Sequence, residues 1–298
     1  MESKLIDPTL HIEVETAKAS KVTPAQQSQL REEVTCTLTS CYATVQLGPL
    51  NGFESIKHVL SVHVADFTGP KSETGWYDVA LTSLDVQTYS LRTGSEVSER
   101  RSIKQPTDEM PQARVLALPN VALKGEWDSL VFDDALPSRI LRYLVRMMGM
   151  MGQPGLDLAT FNWNRLCLLH GPPGSGKSTL CRALAQKLSI RLGQGFLTGQ
   201  LVEINANAML SKYFGESGKT IESTFEKIRT MAEDRKKLVV VVIDEVETIA
   251  GSRQRASDSG ECNDGLRVSL HGTSFLAIPC SSSLAAPAKA SQPCWVAC

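Results

Sequence analysis

The chain has 298 residues, 42% of them hydrophobic, and a formal net charge of −1. That length accommodates about two domains, and the near-neutral balance excludes a global basic field that would draw the protein onto nucleic acid or an anionic membrane surface. No apolar segment follows Met1, and no apolar run reaches the about 18 residues of a membrane span, so an intracellular protein without membrane association is expected. The basic clusters at Arg100-Arg101 and 235–237 stand beside acidic residues and read as solvated surface. Eight cysteines include no C-x₂-C pair and five histidines show no i, i+4 spacing, so reduced thiols and no structural metal are expected.

Residues 11–14, 59–67 and 83–91 alternate apolar and polar positions. Leu60, Val62 and Val64 face one way and Ser61, His63 and Ala65 the other, the pattern of strands with one wet sheet face. Between the first two strands, residues 24–33 are rich in Gln, Arg and Glu and suit a surface helix. No nucleophile, base and orienting group converge here, which favours a binding or adaptor role for a small α+β domain over residues 1–91. Residues 92–112 carry Gly94, Pro106, Pro111 and many charges but few apolar residues; a flexible linker is drawn over 92–117.

A second domain is placed at 118–268. Asp133 and Asp134 can cap a helix whose apolar stripe is Ile140, Leu141, Leu144, Val145 and Met148, with Pro137 tolerated in the first turn. Residues 166–180 then read as an apolar strand, a glycine-rich loop and a helix striped by Leu180, Leu184 and Leu188. Within it, Gly171, Pro172, Pro173, Gly174, Ser175, Gly176, Lys177, Ser178 and Thr179 have the full spacing of a P-loop. Backbone N–H groups there would cradle the phosphates of ATP, Lys177 would reach the β- and γ-phosphates, and the Ser178 hydroxyl would ligate Mg²⁺. The flanking strand and helix argue against a chance loop of this composition.

Residues 200–204 form a second strand, Ile221, Phe225, Ile228 and Ala232 stripe another helix, and 238–243 is a continuous apolar run of the kind buried on both faces. Alternating strands and helices imply a parallel α/β sheet with right-handed crossovers. The run ends in Asp244-Glu245, a pair that could merely cap the next helix. After such a strand and a P-loop it reads as a Walker B element: Asp244 supports the Mg²⁺ shell and Glu245 polarises the attacking water.

Residues 210–219, Leu-Ser-Lys-Tyr-Phe-Gly-Glu-Ser-Gly-Lys, resemble the pore loop of AAA+ ATPases. By that resemblance Lys212, Tyr213 and Phe214 form the substrate loop, with Tyr213 gripping an extended polypeptide; on residues alone, Tyr213 and Phe214 read equally as core or hinge aromatics. Asn205 resembles the polar switch residue that restrains the Walker B glutamate. Residues 125–132, 163–177, 200–205 and 243–249 together are similar to the pachytene checkpoint protein 2 family, specifically over 118–268 and loosely over the first 117 residues. The resemblance implies an N-terminal substrate- or adaptor-recognition domain followed by an AAA+ large subdomain that assembles as a homo-hexamer. It also implies ATP-driven remodelling of HORMA-domain proteins, sometimes through an adaptor, in meiotic chromosome axis control and the spindle checkpoint, in nucleus and cytoplasm. Residues 130–132 would lie by the adenine.

The resemblance stops after Val268. Gly265 stands where the family has alanine, at about 1 kcal/mol of helix propensity, and 269–298 form a divergent tail rich in Ser, Ala, Pro and Cys. The sensor-1 strand with its asparagine, the arginine fingers and the helical lid are not found. Since the sensor-1 strand lies between the P-loop and Walker B strands in the family, a gap with two apolar edges is expected unless the tail or a partner fills it. Residues 275–278 read as too short for that strand, and slow hydrolysis is expected without arginine fingers. A truncated isoform, a fragment or a reading frame continued into noncoding sequence would each explain the change. Two functions are carried forward, an AAA+ remodeller and a non-catalytic form that binds ATP and partners or interferes with complete hexamers. A small-molecule P-loop kinase is disfavoured because it has no use for the Tyr213 loop.

Overall fold

The computed structural model describes residues 8–17, 24–70, 72–93, 113–151, 166–205, 217–234, 236–244 and 274–277. Contacts divide the chain into two compact units: Met1–Arg92 with Ile190–Gln194, and Thr93–Ser189 with Gly195–Cys298.

The first unit is built on β1 (Thr9–Thr16), followed by α1 (Pro24–Cys41), β2 (Thr44–Val45), β3 (Gly48–Leu50), β4 (Val59–Thr68), β5 (Tyr77–Asp78) and β6 (Ser83–Tyr89). The main sheet has the order β3-β4-β1-β6. β1 runs antiparallel to β4 and parallel to β6, and β2 pairs with β5 in a separate ribbon. Alternation is interrupted twice: His11 pairs with Asp66 and Ile12 with Val64, skipping Ala65, and Glu15 pairs with Ser61 and Thr16 with Val59, skipping Leu60. The first skipped residue puts Phe67 into the same core as Leu10 and Val64. Leu60, grouped with Val62 and Val64 by alternation, is instead 62% exposed because it is the residue skipped at the second shift, where Val59 takes its place against the core that holds Val62.

Two further expectations change in this unit. The helix anticipated over 24–33 continues to Cys41, because Leu30, Val34 and Leu38 recur every fourth residue and are all buried, the last two against Ile12, Val14 and Val62. The wet sheet face is also not wholly wet, since Glu13, Glu15, Asp66 and Gln87 are buried. Polar neighbours account for part of this. Ser61 Oγ donates to Glu15 Oε2 at 3.4 Å, Gln87 Nε2 to Asp85 Oδ1 at 2.6 Å, and His11 spans Asp85 (2.8 Å) and Thr68 (2.9 Å).

The second unit comprises β7 (Ala113–Leu118), a 3₁₀ turn (Val121–Leu123), α2 (Leu136–Met151), β8 (Leu166–Leu169), α3 (Lys177–Arg191, within this unit to Ser189), β9 (Thr198–Asn205), α4 (Ser217–Ala232), β10 (Lys237–Asp244) and β11 (Ser274–Ala277). Its sheet has the order β7-β9-β10-β11-β8. β9 and β10 are parallel and carry the buried centre, with Leu201, Val202, Val239, Val240 and Val241 at 1% exposure or less. Ile228 and Ala232 of α4 pack on Val202, Ile204, Val239 and Val241, and Leu180, Leu184 and Leu188 of α3 are buried. Asp134 Oδ1 accepts from Leu136 N at 3.0 Å and so caps α2, whose second residue is Pro137. A Cβ placed on Gly199 would stand 3.0 Å from Leu118 Cβ and 3.3 Å from Ser189 Cβ, so a residue without a side chain lets β7 and α3 close on β9.

This sheet corrects three expectations. It is mixed rather than wholly parallel: β7 runs antiparallel to β9, and β11 antiparallel to both β10 and β8. Residues 113–117, drawn as linker, belong to β7, where Ala117 and Leu118 are buried. The gap expected between the P-loop strand and the Walker B strand is filled from the tail. Ser274–Ala277, overlapping the 275–278 expected to be too short for that strand, pairs with Val241–Asp244 on one side and Leu166–Leu169 on the other. Antiparallel pairing satisfies both neighbours' backbone groups as well as a parallel strand would, and it is what a chain returning from the carboxyl end of β10 can supply.

Candidate functional site

The site lies where β8 ends and α3 begins. Gly174 (φ 78°) and Gly176 (φ 81°) adopt the left-handed backbone that only glycine takes without strain. They turn the chain from His170 through the exposed Pro172, Pro173, Gly174 and Ser175 into the first turn of α3, which begins at Lys177. N–H groups at a helix start have no partner within the helix and carry the positive end of its dipole, so this turn attracts an anion. Lys177 Nζ donates to the carbonyls of Gly171 (2.9 Å) and Pro172 (2.7 Å) and to Ser175 Oγ (3.4 Å), which holds the ammonium over the loop.

Beside it, β10 carries Asp244 to the same end of the sheet. Ser178 Oγ donates to Asp244 Oδ2 at 2.8 Å, bringing together two residues far apart in the chain. A hydroxyl and a carboxylate are hard oxygen donors of the kind Mg²⁺ takes in nucleotide sites, so Ser178 and Asp244 fit that ion and would hold it. When bound with a triphosphate, Mg²⁺ neutralises charge on the β- and γ-oxygens. Thr179 sits half-buried in the first turn of α3. Cys181, behind the loop, has its thiol pushed up to about 12, chiefly by burial, then by the charges of Cys167 and Asp244, with Arg182 opposing. It is therefore a packing residue and no nucleophile.

The remaining site residues divide by position. Glu245 and the trio Lys212, Tyr213 and Phe214 lie outside the described residues, as does the segment 206–216. The backbone of Asn205 pairs with that of Asp244, so the two strand ends are level. On the other side of the P-loop, a Cβ on Gly176 would come within 3.4 Å of Leu130 Cδ2, which places Leu130 against the loop. A separate cavity of about 460 Å³ lined by Arg139, Arg142, Tyr143, Arg146, Met147 and Met150 of α2 includes none of these residues.

The family model for the ATPase family associated with various cellular activities (AAA) matches residues 167–275, from β8 into β11. Residues 5–94 match the model of the TRIP13 N-terminal domain. The pachytene checkpoint protein 2 homolog of Danio rerio is 34% identical over 267 residues, which is 89% of this chain and 60% of that protein. The chain belongs to the pachytene checkpoint protein 2 family. Its homolog in Canis lupus familiaris is 33% identical over 88% of this chain and 60% of its own length, and that of Oryza sativa subsp. indica 46% identical over 51% of this chain and 32% of its own. The chain thus spans about 60% of the first relatives it matches. The solved structure of C. elegans PCH-2 shares the fold at a TM-score of 0.60 and 23% identity, covering 84% of this chain and 62% of that one. An AAA domain joined to an N-terminal domain of the family type is therefore the architecture, and nucleotide binding with a divalent metal is what AAA membership implies.

Sequence reading passed over a group of residues on α3 and the segment before α2. Arg182 Nε lies 3.0 Å from Glu126 Oε1 and 3.9 Å from Glu203 Oε1. Gln186, buried, exchanges two hydrogen bonds with the backbone of Asn120. The available signal was Arg182 and Gln186, polar residues four apart within the stretch whose leucines and alanines are buried.

Proposed function

We propose that this chain binds Mg·ATP at residues 171–179 with Asp244, and that as a ring of identical subunits it couples ATP turnover to remodelling of HORMA-domain proteins, directly or through an adaptor. The observation that carries the nucleotide part is the 2.8 Å contact of Ser178 with Asp244 beneath a loop holding Lys177. Membership in the pachytene checkpoint protein 2 family supports the rest, including a role in meiotic and spindle checkpoint control in nucleus and cytoplasm. Glu245 follows Asp244 directly and is the proposed residue that polarises water; Tyr213, with Lys212 and Phe214, is the proposed polypeptide grip.

One observation favours the second reading, a non-catalytic form that binds ATP and partners or enters mixed rings. The strand between β8 and β10 reads Ser274-Phe275-Leu276-Ala277 and supplies no asparagine to that position. The two readings separate in a single assay series on the full chain, measuring ATP binding, phosphate release and mass in solution with and without a HORMA-domain protein. The remodeller reading expects turnover that Glu245→Gln abolishes while binding persists, and HORMA conversion that Tyr213→Ala abolishes. Binding without turnover, unaffected by Glu245→Gln, supports the non-catalytic form. Absence of ATP binding, with Lys177→Ala indistinguishable from the unaltered chain, defeats both.

A further inference from the structure

The helix α2 carries three arginines and no carboxylate, and Asp134, just before it, is spent on the cap. Leu141, Leu144, Met147 and Met148 are buried and turn one face of the helix into the core. The other side bears a second stripe, Leu136, Arg139, Tyr143, Arg146 and Met150, which recurs at alternate steps of three and four residues. All five are exposed, Tyr143 by 57% and Met150 by 49%. Gly149, also exposed, has nothing within 4 Å of the place a Cβ would take, so open space reaches the helix backbone in its last turn. The cavity of about 460 Å³ lies along these residues, with buried Met147 in its wall.

A helix surface meant only for water needs charge but has no use for Leu, Tyr and Met set between the charges. Tyr, Met and Arg are the residue types enriched where proteins meet, and steps of three and four residues are the spacing at which one helix seats its side chains against another. We propose that this stripe is the docking surface for an amphipathic helix of a partner protein, one that interleaves carboxylates with apolar side chains. The carboxylates meet the guanidinium groups of Arg139 and Arg146, and the apolar residues cover Leu136, Tyr143 and Met150. Charge selects this occupant. A second copy of α2 would bring arginine against arginine, while a phosphate backbone would engage the guanidinium groups and leave the three apolar side chains in water. The near-neutral chain supplies no wider basic field to hold a polyanion. Arg142, half-buried in the same cavity, has an interaction of its own, so recognition is assigned to Arg139 and Arg146. None of these residues belongs to the phosphate site, and docking here does not depend on the nucleotide reading.

The test is fluorescence anisotropy of the full chain with a labelled helical peptide of Leu, Ala and Glu, its leucines and glutamates alternating at the same steps. Arg139→Glu combined with Arg146→Glu is expected to weaken this peptide by about tenfold or more, and Tyr143→Ala by about tenfold, with the thermal transition unmoved because every substituted side chain is exposed. With lysine in place of the peptide's glutamates the order should reverse, the double variant binding more tightly than the unaltered chain. Equal affinity of the glutamate peptide for the double variant and the unaltered chain overturns the inference, as does its failure to bind the unaltered chain. Tighter binding of an oligodeoxynucleotide or of phosphatidylserine vesicles than of the peptide overturns it in favour of a polyanion or a membrane. Self-association in sedimentation that the double variant abolishes overturns it in favour of a second copy.

Discussion

Asp85 sits in the first unit between His11 and Gln87, with its side chain 32% exposed. Burial alone would raise its carboxyl, but the hydrogen bonds from His11 and Gln87 and the His11 charge outweigh this and hold it below the usual carboxylate range. A group bound more weakly by protons in the folded than the unfolded state stabilises above its unfolded value of about 3.9, and that stability is lost as pH falls through the lower folded value. Asp85→Asn should therefore lower stability at neutral pH and flatten the acid limb of a denaturation series below about pH 4; an unchanged acid limb would show that the pair contributes nothing. Cys181 makes an opposite case, an acid weakened by burial. Iodoacetamide at pH 8 should label the exposed Cys36 and Cys41 and spare Cys181 until denaturant is added, as read by peptide mass. Residue chemistry of the P-loop was legible in sequence because its spacing is local. The Asn120–Gln186 and Arg182–Glu126 pairs were not, since each joins residues whose proximity exists only after α3 has packed on residues 120–126.

Among the elements, legibility followed how much of the determining physics lies within the element. α2 carries its own cap, its first-turn proline and its stripe, and β10 is a continuous buried run. The second half of α1 is harder to read because Thr35, Thr37 and Thr39 disfavour helix; in the structure their hydroxyls bond back to carbonyls of Arg31, Glu33 and Thr35, and the packing of Val34 and Leu38 overrides propensity. β7 and β11 are short, so pairing with β9, β10 and β8 is what makes them strands. For β11 this has a direct test. Proline lacks the N–H a central strand must donate, so Leu276→Pro should unpair β11 and weaken both folding and ATP binding, whereas Leu276→Val should leave them near normal. Equal ATP affinity in the proline variant and the unaltered chain would mean that β11 does not support the site.

For the whole molecule, a ligand taken only by the folded state adds stability in proportion to the logarithm of its concentration. At about a hundredfold over Kd, Mg·ATP should contribute about 2.7 kcal/mol, seen as a rise in the thermal transition that Lys177→Ala removes. A shift that survives in Lys177→Ala would place the nucleotide elsewhere. The two-part organisation showed in composition, since a wet alternating pattern gives way to charged residues and then to buried runs. Its sheet orders did not, because they depend on pairings between distant strands.

Among the described residues, β8 has one strand neighbour, and that neighbour is β11. During synthesis the P-loop leaves the ribosome long before residues 274–277 do, so the strand that presents it waits unpaired while α3, β9, α4 and β10 emerge. The nucleotide cradle is thus completed late on the assembly path, and a nascent chain halted before β11 would carry the whole ATP-binding motif without the backbone pairing that holds its strand in the sheet.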